Sequence, residues 1–359
     1  LSQTALDAMG HFYTYPPSQP SGNKLSATLF FLCNGRSEEY GAAESIFADI
    51  WKSGYNTLLN INYFLKSMEG STAVIGSNNK DVLMGEAYGL RAYLHFDLFR
   101  LFGPRWEDRS NINKILPYSR TTDMILNHVG YEEDVYSTAD EYLDYLLEDI
   151  REAERLLAAD PILSDDSAIS KELISDFYKN RNRRMNYYAV KALQARFYLY
   201  TGQTKKAYEA AKAVYTVMPV SLSSMADFNL QYYAAPSECL FALSNHKLID
   251  YSIGVTGVGS DRLTSTNLFI SAEMRDKLYE GQDITTHAGY ANSWNTSIPD
   301  ANGNYNYACV KKYYYDAGQE YGANVLLMKL QIVPVLRMSE VYLILLETTT
   351  DLELSLIHI

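Results

Sequence analysis

The chain has 359 residues, of which 47% are hydrophobic, and carries a formal net charge of −12 from 31 basic and 43 acidic side chains. This size and composition fit one or two ordinary globular units with a sizeable core. The acidic balance argues against nucleic-acid binding, which needs clustered Lys and Arg, and the one short basic cluster, Arg181 to Arg184, is isolated in a polar connector.

Two helices are predicted in the first third of the chain. The stretch ESIFADIWKSGYNTLLNINYFLKSM has apolar residues near helical spacing and predicts an amphipathic helix. The stretch GEAYGLRAYLHFDLFRLFGP carries two adjacent apolar stripes and predicts a helix packed on two sides. Within it, Glu86 and Arg91 lie about 140° apart around the axis and cannot pair with each other. Each therefore needs a partner on another element, and His95 is expected to be a satisfied core or boundary residue.

The next three helices come with clearer boundary signals. In TADEYLDYLLEDIREAERLL, Thr138 and Glu141 predict a capping box at the start of an amphipathic helix. The segment ALQARFYLYTGQTKKAYEAAKAVYTVMP predicts two small-residue-rich helices, broken at Thr201 to Gln203 and closed by Pro219, and reads as a tetratricopeptide unit. Since such a unit cannot bury its faces alone, other helix pairs are expected to stack beside it.

From about residue 221 to 331 the sequence is rich in Gly, Ser and Asn around short aromatic segments, which predict strands and loops. Here Trp294 is accompanied by Tyr290, Asn292 and Asn295, and turn-forming residues predict an exposed loop. Aromatic faces cover the apolar side of a sugar ring, and amides bond its hydroxyls. These four residues therefore form our first candidate glycan-binding surface, with ordinary packing as the alternative.

A second candidate surface is the loop that holds Trp106 and Arg109. Catalytic motifs are missing from the sequence, which has no G-x-S-x-G elbow, no H-E-x-x-H and no phosphate-binding loop. The three cysteines are far apart and indicate neither a disulfide framework nor a zinc site. There is no apolar run of about eighteen residues and no signal-peptide pattern at the start. We expect no catalytic residue, no cofactor and no metal.

Three motifs in the same order resemble the SusD/RagB outer-membrane nutrient-binding proteins of Bacteroidota. They are GEAYGLRAYLHFDLFRLFGP, ALQARFYLYTG with KKAYEAAKAVY, and VLRMSEVYLILLE. The resemblance implies a mostly α fold, a tetratricopeptide-like helical repeat scaffold with a loop-rich insertion containing short strands. It also implies that the charged residues of these motifs, Glu86, Arg91, Arg337 and Glu340, are structural positions that hold helices together.

The function implied by this resemblance is non-catalytic glycan capture at the extracellular face of the cell outer membrane. Such a subunit binds oligosaccharides or polysaccharide and delivers them to a SusC-like TonB-dependent transporter. It would touch the membrane only through a lipid anchor that is not in this sequence, and it would not bind nucleic acid. Two alternatives stay open: a glycoside hydrolase on a helical fold, which would release reducing sugar, and a pure protein-interaction scaffold, which would neither retain nor cut a glycan.

We predict five segments along the chain. They are an N-terminal segment at 1–43, the helical scaffold at 44–220, a loop-rich ligand-facing insertion at 221–335, the start of a final helical pair at 336–353, and a non-native tail at 354–359. The tail reads LSLIHI, which back-translates to a sequencing-library end, so we expect a fragment of a longer protein. Since repeat helices bury their faces only against neighbours, the apolar side of Val341 and Leu345 is expected to be exposed.

Overall fold

A computed structural model describes Tyr13 and residues 41–122, 136–163, 176–248, 267–283, 287, 290, 292–300, 302–314 and 330–349. The side chains of residues 41–43, 73 and 176 are outside this description. The described residues fall within two compact units. We call them the helical unit (Trp51–Leu222, Glu238–Leu243 and Pro334–Ile359) and the insertion unit (Leu1–Ile50, Ser223–Ser237 and Ser244–Val333). The predicted tail at 354–359 lies outside the described residues.

Helices dominate the described parts of the chain, which confirms the predicted mostly α fold. The α-helices are α1 (Gly41–Met68), α2 (Thr72–Ile75), α3 (Ser77–Phe102), α4 (Ala139–Leu156), α5 (Tyr187–Tyr200), α6 (Thr204–Val217), α7 (Met225–Asn229), α8 (Ala272–Leu278) and α9 (Met338–Thr348). The strands are β1 (Cys239–Ser244), β2 (Phe269–Ser271), β3 (Trp294–Asn295), β4 (Tyr307–Val310) and β5 (Ile332–Arg337).

The helical unit is an array in which each helix packs on the next: α3 on α4, α4 on α5, α5 on α6, and α6 on α9. The tetratricopeptide-like pair is α5 and α6, and its inner face is made of small buried side chains that include Ala195, Ala207 and Ala211. The turn between them uses Gly202 at a φ of +70°, a left-handed conformation that favours glycine. The predicted stacking of repeat-like helices is therefore present.

Helix α3 is packed on two sides, as its double apolar stripe predicts. A Cβ added to Gly85 would lie 2.7 Å from Leu157 Cγ, and one added to Gly89 would lie 2.6 Å from Met185 Cγ. Both glycines are inside a helix, where Gly is intrinsically unfavourable. Close approach of the neighbouring chain is therefore the physical reason for these two residues.

The predicted exposure of the apolar side of α9 is wrong for Val341. That side chain is fully buried and belongs to the core of the helical unit, while Leu345 is partly buried against it. The reason is that α9 packs on both α6 and α5, so this face already has neighbours. The exposed apolar residue of α9 is Leu343, at 63%.

The strands form two small sheets. One pairs β1 with β5, and the other has the order β2-β4-β3, with both pairings antiparallel. In the second sheet Phe269 stands opposite Cys309, and these two side chains form a small core of the insertion unit with Ile298. No helix within the described ranges combines the length and the apolar character needed to cross a bilayer.

Candidate functional site

Trp294 lies within an aromatic cluster of the insertion unit. It belongs to β3, stands opposite Val310 of β4, and is half-buried. Its indole Nε1 donates a hydrogen bond to the Tyr279 hydroxyl at 3.1 Å. The Tyr279 ring in turn meets Tyr290 edge-on at 5.3 Å between centroids, and His287 at 4.9 Å. The prediction that Trp294 sits in an exposed loop is wrong, because pairing with β4 fixes the backbone and Tyr279 fixes the ring.

The rim of this cluster is charged. The Tyr290 hydroxyl donates to Asp276 Oδ1 at 3.0 Å, and the Arg275 guanidinium lies 4.7 Å from the Tyr290 ring centroid. Both charged residues come from α8, and they also pair with each other at 3.1 Å. Desolvation and the bond to Asp276 raise the pKa of the Tyr290 phenol, which therefore stays protonated at neutral pH.

The two predicted asparagines make contacts outside the aromatic cluster. Asn292 Nδ2 lies 4.0 Å from Met225 Sδ, and Asn295 Oδ1 accepts a hydrogen bond from the Ser297 backbone N–H at 3.1 Å. Successive side chains of a strand face opposite sides, so Asn295 does not share the face of Trp294. Of the four predicted residues, the structure brings Trp294 and Tyr290 into one cluster.

Trp106 and Arg109 form a separate pair in the helical unit. They lie in a 3-10 helix, Trp106–Asn111, and the Arg109 guanidinium sits 3.6 Å over the Trp106 ring centroid. Arg109 Nη1 also donates to the Trp106 carbonyl at 2.9 Å, and its Nε pairs with Asp140 at 3.3 Å. The guanidinium therefore covers one indole face, which leaves less of this ring for a ligand than a bare platform would offer.

Arg91 is buried in an ion pair across α3 and α4. Its Nε and Nη2 donate to the two carboxylate oxygens of Asp149 at 2.7 and 2.6 Å, and Nη1 donates to Asn62 Oδ1 at 2.9 Å. The Tyr118 hydroxyl adds a third donor to Asp149 at 2.7 Å. Arg91 thus joins three segments of the helical unit.

His95 lies one turn further along α3 and is fully buried. Its Nε2 accepts from the Ser119 backbone N–H at 3.0 Å, so the ring proton is on Nδ1, which donates to the Arg91 carbonyl at 2.9 Å. The ring stacks on Tyr118 at 3.7 Å between centroids. Burial lowers the pKa of His95 to about 3, so the imidazole is neutral.

Glu86 is buried and accepts hydrogen bonds from two arginines. Arg184 Nε lies 2.9 Å from both of its oxygens, and Arg181 Nη1 donates to Oε1. Arg181 is itself buried and pairs with Asp160 at 2.8 and 2.7 Å. The interpretation of Arg181 to Arg184 as an isolated cluster in a polar connector is therefore wrong, because its first member is a core cation.

The last two motif residues make ion pairs near α9. Glu340 accepts two hydrogen bonds from Arg196 of α5, at 2.5 and 2.6 Å. Arg337 lies 3.8 Å from Glu238, a longer pair in which the Arg337 side chain is 43% exposed.

Comparisons with known proteins agree with this fold. Residues 25–165 match the family model SusD-like_3, described as starch-binding associating with outer membrane. A SusD superfamily protein from Bacteroides thetaiotaomicron is similar in structure, with a TM-score of 0.59 and 21% identity over 84% of this chain and 63% of that chain. Residues 25–165 are thus similar to the SusD-like family, and the fold of the chain is similar to that of solved SusD superfamily structures.

Two further solved structures resemble this chain. A SusD-like carbohydrate binding protein from Bacteroides vulgatus has a TM-score of 0.64 at 15% identity, covering 97% of this chain and 65% of that chain. A structure solved with xylogluco-oligosaccharide has a TM-score of 0.58 at 14% identity, covering 97% of this chain and 67% of that chain. The chain thus spans less than two thirds of the Bacteroides thetaiotaomicron and Bacteroides vulgatus structures. No curated protein matches its sequence.

The chain also has a polar groove that the sequence did not predict. Its volume is about 480 Å³, and it lies in the helical unit between the end of α1, the middle of α3 and the segment 120–122. We call it the polar groove; it is lined by Asn62, Leu65, Lys66, Glu69, Met84, Tyr88, Arg91, Arg120, Thr121 and Thr122. Three of these side chains are cations from three separate segments. The described residues include no group of three or more His, Cys, Asp or Glu placed to hold a metal ion.

Proposed function

We propose that this chain is the glycan-capturing part of a non-catalytic protein at the extracellular face of the outer membrane. In this proposal it binds oligosaccharides or polysaccharide, with the insertion at 221–335 as the ligand-facing segment, and delivers them to a SusC-like TonB-dependent transporter. The family model's description as starch-binding and the xylogluco-oligosaccharide in a structural neighbour support a saccharide ligand. The observation that carries the proposal is the half-buried Trp294 held by Tyr279 beside Tyr290.

This cluster suits a sugar because its rings are already ordered. The bond from Trp294 to Tyr279 and the bond from Tyr290 to Asp276 hold two aromatic groups in place before a ligand arrives. A preorganised ring loses little conformational entropy on binding. The apolar face of a pyranose can stack on the accessible part of either ring, and the charged pair on α8 offers both donors and acceptors to its hydroxyls.

The test is retention of the protein in gels that contain a polysaccharide, with xyloglucan first and a wider panel after it. Trp294→Leu removes the flat face while keeping apolar volume in a half-buried position. We expect about five- to tenfold weaker retention, equivalent to roughly 1 kcal/mol of stacking, with a melting temperature close to that of the wild type. Tyr305→Ala is the matched control, since Tyr305 is an aromatic residue of the same unit with 63% exposure, and it should leave retention unchanged.

Each other outcome has a defined meaning. Equal losses in Trp294→Leu and Tyr305→Ala would contradict the assignment to this cluster. Release of reducing sugar from any polysaccharide of the panel would favour the glycoside hydrolase, and neither retention nor release would favour the interaction scaffold. The transporter partnership is tested by co-purification of the complete protein with its neighbouring transporter in mild detergent, and elution alone would contradict it.

A further inference from the structure

The polar groove of the helical unit has more hydrogen-bond donors than acceptors. Arg91 uses three of its N–H groups on Asp149 and Asn62, and a guanidinium has five. The exposed Lys66 ammonium makes one long contact, 3.4 Å to Thr122 Oγ1. Two N–H groups of a buried arginine and most of the donors of an exposed lysine are therefore available to a ligand.

Arg120 and Tyr88 add to this excess. Arg120 Nη2 donates to Glu148 at 2.9 Å, and its guanidinium lies 4.8 Å from the Tyr145 ring centroid, so most of its N–H groups are not used by these contacts. Desolvation is the main effect that raises the pKa of Tyr88, so its hydroxyl is a proton donor at neutral pH. Among the described residues that line the groove, Glu69 is the one carboxylate, and Lys80 Nζ donates to its backbone carbonyl at 2.7 Å.

We propose that the polar groove binds the anionic group of an acidic saccharide, such as the carboxylate of a uronic acid. Three converging cations and a phenol hydroxyl match a ligand that supplies acceptor oxygens and negative charge. The volume of about 480 Å³ is sufficient for a sugar ring. The anion preference rests on the groove alone, whereas the saccharide part rests on the function proposed above.

The overall charge of the chain restricts where an anionic ligand can be attracted. At a net charge of −12, the protein as a whole repels anions, so attraction must come from the groove at short range. Binding should therefore depend on individual groove residues such as Lys66 and Arg120, and not on the general salt-dependent attraction for anions that basic proteins show.

The test is isothermal titration calorimetry of the full chain with trigalacturonate, compared with the neutral α-1,4-galactotriose. The two probes differ mainly in that each sugar of trigalacturonate carries a carboxylate where each sugar of galactotriose carries a hydroxymethyl group. We expect the neutral trisaccharide to bind at least about tenfold more weakly, and Lys66→Met and Arg120→Met each to weaken trigalacturonate binding about fivefold. Lys52→Met is the matched control, an exposed lysine of the same helix about 21 Å along the axis from Lys66, and it should have no effect.

Three results would overturn the proposal. The first is equal affinity for the two trisaccharides. The second is loss of trigalacturonate binding in Trp294→Leu but not in Lys66→Met or Arg120→Met, which would leave the proposed glycan function standing and move the ligand to the aromatic cluster. The third is inorganic sulfate competing as strongly as trigalacturonate, which would make the groove a bare anion site. Lys66→Arg keeps the charge and should retain binding, so a folding defect in one variant does not decide the test.

Discussion

Replacing Arg91 with Met should show how much the buried ion pair contributes to stability. The side chains of Arg91 and Asp149 are 6% and 2% exposed, and Met keeps much of the apolar volume while removing the charge. Asp149 would be left with the Tyr118 hydroxyl as its remaining side-chain donor among these contacts. Breaking a buried pair by removing one partner costs about 3 to 5 kcal/mol, because an uncompensated charge stays buried. The lost bond to Asn62 adds about 1 kcal/mol.

The assay is urea and thermal unfolding followed by circular dichroism. For a unit of this size a loss of about 4 kcal/mol corresponds to a fall of the melting temperature by roughly 8 to 16 °C. The matched control is Arg155→Met in α4, which breaks a pair with Glu152 whose side chains are 66% and 37% exposed. Exposed pairs contribute less than about 1 kcal/mol, so this variant should melt within a few degrees of the wild type.

The double variant Arg91→Met/Asp149→Leu separates the cost of the uncompensated buried charge from the cost of the lost hydrogen bonds. With no lone charge left, we expect it to recover about half of the lost free energy of unfolding, and not all of it, since Tyr118 and Asn62 lose their partners. The reasoning would be refuted if Arg91→Met were no less stable than Arg155→Met, or if the double variant were less stable than Arg91→Met.

Two further predictions concern α3. The pKa of His95 is lowered from 6.5 to about 3, so as pH falls below 6.5 the unfolded chain takes up the proton first. Between about pH 6 and pH 4 the wild type should therefore lose up to about 1.4 kcal/mol of unfolding free energy per pH unit relative to His95→Gln. Parallel curves of stability against pH for the two proteins would contradict this. Gly85→Ala should lower the free energy of unfolding by about 1 to 2 kcal/mol, because its Cβ would lie 2.7 Å from Leu157 Cγ and 3.1 Å from the Leu157 backbone N. Gly70→Ala, where no atom lies within 4 Å of the added Cβ, is its control in the same melting assay.

Local features of the structure could be predicted from the sequence. The capping box is present as expected: the Glu141 backbone N–H donates to Thr138 Oγ1 at 3.2 Å, and the Thr138 N–H donates to Glu141 Oε2 at 2.9 Å. Helical spacing also predicted the two-sided packing of α3, and the angular separation of Glu86 and Arg91 predicted that each would pair elsewhere. These signals depend on residues within a few positions of one another, and a single sequence contains them in full.

Contacts between distant segments could not be predicted in the same way. Arg181 and Glu86 are 95 positions apart, and nothing in the composition of a polar connector shows that one of its arginines will be buried. The strand at Trp294 depends on its partner Val310, and turn-forming neighbours gave the opposite expectation. The polar groove could not be predicted from the sequence for the same reason, since its cations Lys66, Arg91 and Arg120 come together only when three segments pack.

The pairing of β1 with β5 has a consequence for how the insertion can change. The chain leaves the helical unit after Leu243 and returns to it at Pro334, so these two strands close a loop of about 90 residues at its base. The entropy cost of closing a flexible loop rises only with the logarithm of its length, so doubling it costs about 0.6 kcal/mol more. A longer or shorter insertion should therefore leave the stability of the helices nearly unchanged, which lets the segment that we propose as ligand-facing vary at little cost to folding.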